Sequence, residues 1–317
     1  MKPFRKLLAA GLVLMALAGC KDAKASLTGA AEPVLTVGSK TVSKGDLYSA
    51  MFSASAAASA YNDAMKVITD AEVEVTDEMK EEAKSQAEMM TMYYGSQFNS
   101  YLESMNMTIE EYAEKNVLPD LKITALNEKY IRENLKTLSD QYKPVKAIVL
   151  SFSAQEDASS ALSALKDGSK TASEAATSFN STSSGNEEVI TTLNTSYDST
   201  VLSIIRSASP DDGWTQIPSA DGSTFYVLKV VSNDPTAFEE DAVKELKNIS
   251  AISDLCTDTY LRKYGFHVYD IDLYNAIKEY NSSLLVQDTK APTPAPAAEE
   301  TAAAETPAAE PSESPAQ

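Results

Sequence analysis

The chain has 317 residues, with 46 Asp and Glu against 27 Lys and Arg and a net charge of −19 at pH 7. A surface that acidic is repelled by nucleic acid and anionic lipid, and more easily attracts basic, partly unfolded chains. One histidine and two cysteines, Cys20 and Cys256, leave little basis for a zinc site, and no acidic loop has calcium-binding spacing.

Residues 1–19 read as a targeting segment. Lys2, Arg5 and Lys6 give a basic start, and Leu7 to Ala18 is an apolar run of signal-peptide length, too short to span a bilayer comfortably. It ends in Leu17-Ala18-Gly19-Cys20, which resembles the bacterial lipobox. The resemblance implies cleavage before Cys20 and a diacylglycerol on its thiol. The mature chain is then held at the extracytoplasmic face of the cell membrane, with about 0.8 kcal/mol contributed by each buried CH₂ of two acyl chains. Residues 20–32 form the lipidated cysteine and a small, polar tether. Cys256 is left without a disulfide partner, as a free thiol on a helix whose expected role is packing.

Residues 33–143 read as an N-terminal helical domain. Pro33 to Val42 has the pattern of a short hairpin turning at Gly38-Ser39, and Ser43 N-caps a helix through Asp46, Leu47, Met51 and Phe52. Thr76-Asp77-Glu78-Met79 opens a second helix that stops before Gly95. Thr108 to Glu111 is a capping box opening a helix towards Leu138, which Pro119 should kink or divide near Leu118. Six methionines (Met79, Met89, Met90, Met92, Met105, Met107) are interleaved here with Tyr93, Tyr94 and Tyr101. Core packing on amphipathic helices is the favoured reading, ahead of an adaptable binding surface.

Pro144 to Asn233 reads as a compact α/β unit. Val145 to Phe152 is an apolar, β-prone run; Ala154 to Lys166, Ala172 to Phe179 and Ser199 to Ala208 have helical spacing. Trp214 to Ile217 and Phe225 to Val231 are strands, punctuated by Asp221-Gly222 as a hairpin turn would be. This order, strand–helix–helix–helix–strand–strand, resembles the parvulin family of prolyl isomerases. The alignment places the first-strand histidine of that family on Ala147 and the last-strand histidine on Tyr226. The family's Asp or Cys falls on Ser183, within Ser181-Thr182-Ser183-Ser184, and a pocket Phe falls on Arg206. The resemblance thus implies a parvulin-shaped fold without its polar catalytic members. Ala147, Ser183, Arg206 and Tyr226 are the residual peptide-groove candidates, and no catalytic residue is assigned.

Residues 234–287 read as a C-terminal helical segment: one long helix from Phe238 to Tyr264, a strand over Phe266 to Tyr269, and a last helix over Ile271 to Tyr280. His267 sits in Tyr264-Gly265-Phe266-His267-Val268, which mimics a parvulin motif some forty residues too late, so a structural or surface role is expected. Residues 288–317 are Ala, Pro, Glu, Ser and Thr with six acids and one Lys, the composition of a disordered tail.

The pattern Val34-x-x-Val37-Gly38-x-x-x-Val42-Ser43-x-x-Asp46-Leu47 is similar to the opening of the PrsA and SurA foldases, which join an N-terminal helical domain to a parvulin domain. The fold class expected is therefore α+β and mostly helical. It is a discontinuous helical, chaperone-like domain (33–143 completed by 234–287) with an inserted parvulin-like α/β domain (144–233). The function implied is a lipid-anchored extracytoplasmic foldase or chaperone whose partners are unfolded exported proteins and the membrane, with a homodimer left open and no cofactor or metal. An active parvulin-type isomerase is the alternative, and a solute-binding or scaffolding envelope lipoprotein a further one. No Gly-x-Ser-x-Gly and no Gly-rich phosphate loop supports a hydrolase or nucleotide reading.

Overall fold

The structure is a computed structural model of the chain and describes residue 27 and residues 29–38 and 40–287. The leader, Cys20, Ser39 and the tail from 288 lie outside the described residues. Helices dominate, with one two-stranded and one four-stranded antiparallel sheet, the mostly helical α+β class expected. The chain divides into two compact units, one formed by residues 1–58 and 267–317 and the other by 59–266.

In the first unit β1 (Pro33–Val37) and β2 (Lys40–Ser43) form the expected hairpin, with Gly38 at φ +62° in its turn. Helix α1 (Lys44–Glu72) begins at Ser43, whose Oγ accepts from the Asp46 amide while Asp46 accepts from the Ser43 amide, a reciprocal cap. The last helix, α12 (Ile271–Asn281), is capped by Asp270, which accepts from the amides of Asp272 and Leu273. The strand expected over Phe266 to Tyr269 is not formed. Val268 instead gives its amide to Gln287 Oε1 at 2.7 Å and takes the Gln287 amide on its carbonyl, so a side chain satisfies the backbone groups a neighbouring strand would have used.

In the second unit α2 (Asp77–Tyr94) starts at its Thr76 cap and ends at Gly95, whose φ of +55° turns the chain into α3 (Ser96–Ser104). Only glycine enters that conformation without cost. Thr108 makes the expected capping box with Glu111 and opens α4 (Ile109–Tyr112). A π-turn over Ala113–Val117 follows and leads into α5 (Leu118–Glu133) with Pro119 in its first turn. Proline has no N–H, and its ring would meet the carbonyl four residues back; the wider turn accommodates both. A second break at Asn134 separates α6 (Leu135–Tyr142), because the Asn134 side chain donates to the Tyr130 carbonyl at 2.8 Å and competes with the helix.

The single helix expected over Phe238 to Tyr264 is two, α10 (Glu239–Leu246) and α11 (Ser250–Lys263), parted at Ile249 in an extended conformation. The break lets Val243 and Leu246 on one side and Ile252 on the other enter the same core, against Ile131, Leu135, Leu138 and Tyr142.

The C-terminal end of α1 is fixed by Glu72. Its nearly buried carboxylate (9% exposed) accepts from Lys129 Nζ of α5 at 2.7 Å, from Lys263 of α11 and from the Tyr264 hydroxyl at 2.8 Å. Lys129 also takes the Glu72 backbone carbonyl, closing one of the helix's unpaired acceptors. These donors, Lys129 first, hold the Glu72 carboxyl down at about 2, below its ordinary 4.5. The stabilisation is therefore complete above pH 4.5 and lost as pH falls through about 2. Glu72→Gln should cost about 2 kcal/mol in urea denaturation at pH 7, and the difference from wild type should shrink towards pH 2. A difference of equal size at both pH values would contradict this role.

Candidate peptide groove on the four-stranded sheet

The α/β part of the second unit is built on β3 (Val145–Phe152) and β6 (Phe225–Ser232), two eight-residue antiparallel strands. Beyond β6 lies β5 (Thr215–Pro218); on the other side of β3 lies β4 (Glu187–Ile190), a strand that the sequence reading did not anticipate, giving the order β4-β3-β6-β5. Side chains alternate across the sheet. Leu150, Phe152 and Val227 face α7 (Gln155–Lys166) and α8 (Ala172–Ser178), where alanines allow close approach. Val145, Ala147, Val149, Tyr226, Leu228 and Val230 face α9 (Ser199–Ser207) through Val201, Leu202 and Ile205.

Two of the four groove candidates, Ala147 and Tyr226, share that α9-side core, but they do not meet. Ala147 is paired with Val230 and Tyr226 with Ser151, which sets them four residues, about 13 Å, apart along the strands. Ala147 is fully buried and lines no open surface. The first-strand side chain diagonal to Tyr226 is Val149, also buried.

Ser183 has a structural task. β4 pairs with β3 only from Val145 to Ile148. Past that point the Ser183 hydroxyl donates to the Val149 carbonyl at 2.7 Å and accepts from the Ser151 amide at 3.2 Å, while the Thr182 amide donates to the Ser151 carbonyl at 2.8 Å. Hydroxyls thus complete the edge that β4 leaves open. Gly185 closes the same loop at φ +74°, with a Cβ there only 2.6 Å from the Ala172 carbonyl oxygen. Arg206 is exposed, and its Nε donates back to the Leu202 carbonyl of its own helix.

What surrounds Tyr226 is aromatic and acidic. The Tyr197 ring meets it edge-on, centroids 6.0 Å apart, and the Tyr197 hydroxyl donates to Glu188 Oε1 in a short hydrogen bond. Asp198 caps α9 through the amides of Thr200 and Val201 and takes the Ala220 amide at 3.0 Å, tying the β5–β6 hairpin to the helix. Burial pushes the Glu188 carboxyl up, reinforced by Glu245, against the opposing pull of the Tyr197 hydroxyl. Burial likewise raises Tyr226, with Asp198 and Asp221 adding to it. Such a surface can stack an apolar ring or side chain and accept hydrogen bonds. Asp198 before Ser-Thr-Val was readable as a helix cap; Glu188 and Tyr197 were not, since only the fold brings the Tyr197 ring to Tyr226 and its hydroxyl to Glu188 opposite Ala147.

His267 lies in the other unit, half-exposed, its ring 4.4 Å from that of Tyr269. Cys256 is a buried free thiol on α11, packed near the Leu126 carbonyl and pushed up to about 12 chiefly by burial.

No protein-family profile and no curated protein matches the chain. Among solved structures it is similar to the foldase protein PrsA from Streptococcus pneumoniae, at 16% identity and a TM-score of 0.41, over 78% of this chain and 100% of that one. It is also similar to the peptidylprolyl isomerase PrsA from Bacillus cereus (19%, TM-score 0.39, 80% and 99%) and to PrsA from Bacillus subtilis (14%, TM-score 0.34, 79% and 99%).

Because burial raises the Glu188 carboxyl, its ionised form opposes folding at neutral pH and its protonated form does not. Glu188→Gln should therefore raise the melting temperature at pH 7 by about 2 °C and give no gain near pH 4, where the carboxyl is already protonated. Scanning calorimetry at the two pH values checks this; a lower melting point at pH 7 would show that the charged Tyr197–Glu188 bond outweighs desolvation.

Proposed function

We propose that this chain is a lipid-anchored extracytoplasmic foldase or holdase of PrsA type, whose parvulin-like part (144–233) binds or scaffolds and performs no isomerase chemistry. The observation that carries this reading is the composition of the α9 face. The positions aligned with the family's two histidines, its Asp or Cys and its pocket Phe are a buried alanine, a tyrosine covered by Tyr197, a serine committed to the backbone and a solvent-facing arginine. Function follows the site more than the fold, and proton-transfer or twisted-amide chemistry has no imidazole on this face to work with. Its clients would be unfolded exported proteins, approached by diffusion from a membrane tether at Cys20. Among the described residues no helix is long and apolar enough to cross a membrane, so the lipobox is the feature that supports anchoring.

The reading predicts two results for a soluble form of the chain beginning at Lys21, without the lipidated Cys20. It should not accelerate prolyl cis/trans isomerisation, whose uncatalysed time of tens of seconds makes catalysis easy to see. It should suppress aggregation of an unfolded client at stoichiometric ratios. Acceleration at catalytic levels, lost on Tyr226→Ala, would instead establish a parvulin site that works without histidines.

A further inference from the structure

The favoured expectation for the methionine–tyrosine stretch is core packing; Met79, Met90 and Met107 are half-buried, but the rest of the stretch departs from it. Met89, Met92, Tyr93 and Tyr94 on α2 and Tyr101 and Met105 around α3 are all exposed, Met92 and Tyr93 at more than 80%. The reason lies in which faces the two helices bury. α2 packs through Ala83 and Ala87 onto Ala113, and α3 through Phe98 and Leu102, so Met89, Met92, Tyr93, Tyr94 and Tyr101 are left in solvent on both sides of Gly95. Phe98 supports the exposed ring of Tyr101 and stands edge-on to Tyr112, which makes the aromatic part of the face firm.

The charge around this face selects its occupant. From Glu88 to Glu114 the chain has five acids (Glu88, Glu103, Glu110, Glu111, Glu114) and no Lys or Arg, and the lysine that follows, Lys115, is paired with Glu111. A second copy of the chain would bring the same charge to the same surface and be repelled. Flexible thioethers repack against varied apolar side chains, and tyrosine rings and carboxylates both attract ammonium and guanidinium groups.

We infer that the α2–α3 face docks unfolded polypeptide segments in which Lys or Arg alternate with apolar side chains, and discriminates against acidic segments of equal hydrophobicity. This rests on the foldase reading and adds the class of client to it.

The test uses two unstructured peptides of roughly 20 residues, identical in Leu, Phe, Gly and Pro and carrying four Lys or four Glu at the same positions. Their binding to the same soluble form of the chain is read by fluorescence anisotropy at low and high salt. The Lys peptide should bind about tenfold tighter at low salt, with most of the preference screened at 0.5 M. Met92→Ser with Tyr93→Ser, both at exposed positions, should weaken it about fivefold without altering the melting temperature, and Glu88→Lys with Glu103→Lys should abolish or invert the preference. Equal affinity for the two peptides, or binding untouched by the Met92/Tyr93 pair, overturns the inference. So does a dimer in sedimentation that dissociates on Met92→Ser with Tyr93→Ser, since the occupant is then a second copy. Client aggregation measured in parallel keeps the two readings apart. Suppression without peptide preference rejects this inference and retains the foldase; absence of suppression rejects the foldase reading itself.

Discussion

The β3–β6 pair constrains everything built around it. Both strands are covered on two faces, by α7 and α8 on one side and α9 on the other, and β3 has both edges occupied as well. At its buried positions such a strand takes apolar side chains, because a polar group there would be cut off from water and must find its partners inside the fold. Ala147, Val149 and Leu150 are apolar for that reason. Polar groups gather at the margins of the sheet: Glu188 of β4, opposite Ala147, accepts from the Tyr197 hydroxyl, and the Tyr197 ring and the β5–β6 hairpin border Tyr226.

This leaves an aromatic pair, Tyr197 and Tyr226, with the Glu188 carboxylate on the Tyr197 hydroxyl. The helices α2 and α3 have the complementary character. They give their small and ring-bearing faces to the core and keep Met and Tyr outside. Within one compact unit, the sheet is closed by packing and the α2–α3 face is open to solvent.

The basic residues, outnumbered in this acidic chain, bridge elements remote in sequence. Arg132 of α5 makes a two-pronged contact with Glu240 of α10, Lys247 reaches Glu128, and Lys146 of β3 reaches Asp241. Exposed pairs of this kind contribute little individually. Glu72 differs because its carboxylate is nearly buried and triply hydrogen-bonded, which makes it the electrostatic anchor of α1, α5 and α11.

Local chemistry was legible in the residues alone. The reciprocal caps at Ser43 and Thr108, the stop at Gly95, the division ahead of Pro119, and the helices and long strands from Val145 to Ser232 all follow from hydrogen-bonding groups and apolar periods within a few residues. The sequence by itself determined the mostly helical α+β class and the absence of histidine from the positions aligned with a parvulin site. Only the tertiary structure decided the rest. β4 is short, and with its Glu-Glu start it acquires strand character from β3, not from its own pattern. The break at Ile249 answers to a core shared with α5 and α6, and Val268 found a glutamine side chain in place of a strand. Ser183 became a backbone staple, and Met89 and Met92 of α2 and Met105 just after α3 stayed in solvent. Pairing partners and buried faces are set by residues well outside any local period, 19 positions away for Val268 and Gln287 and 34 for Ser183 and Val149.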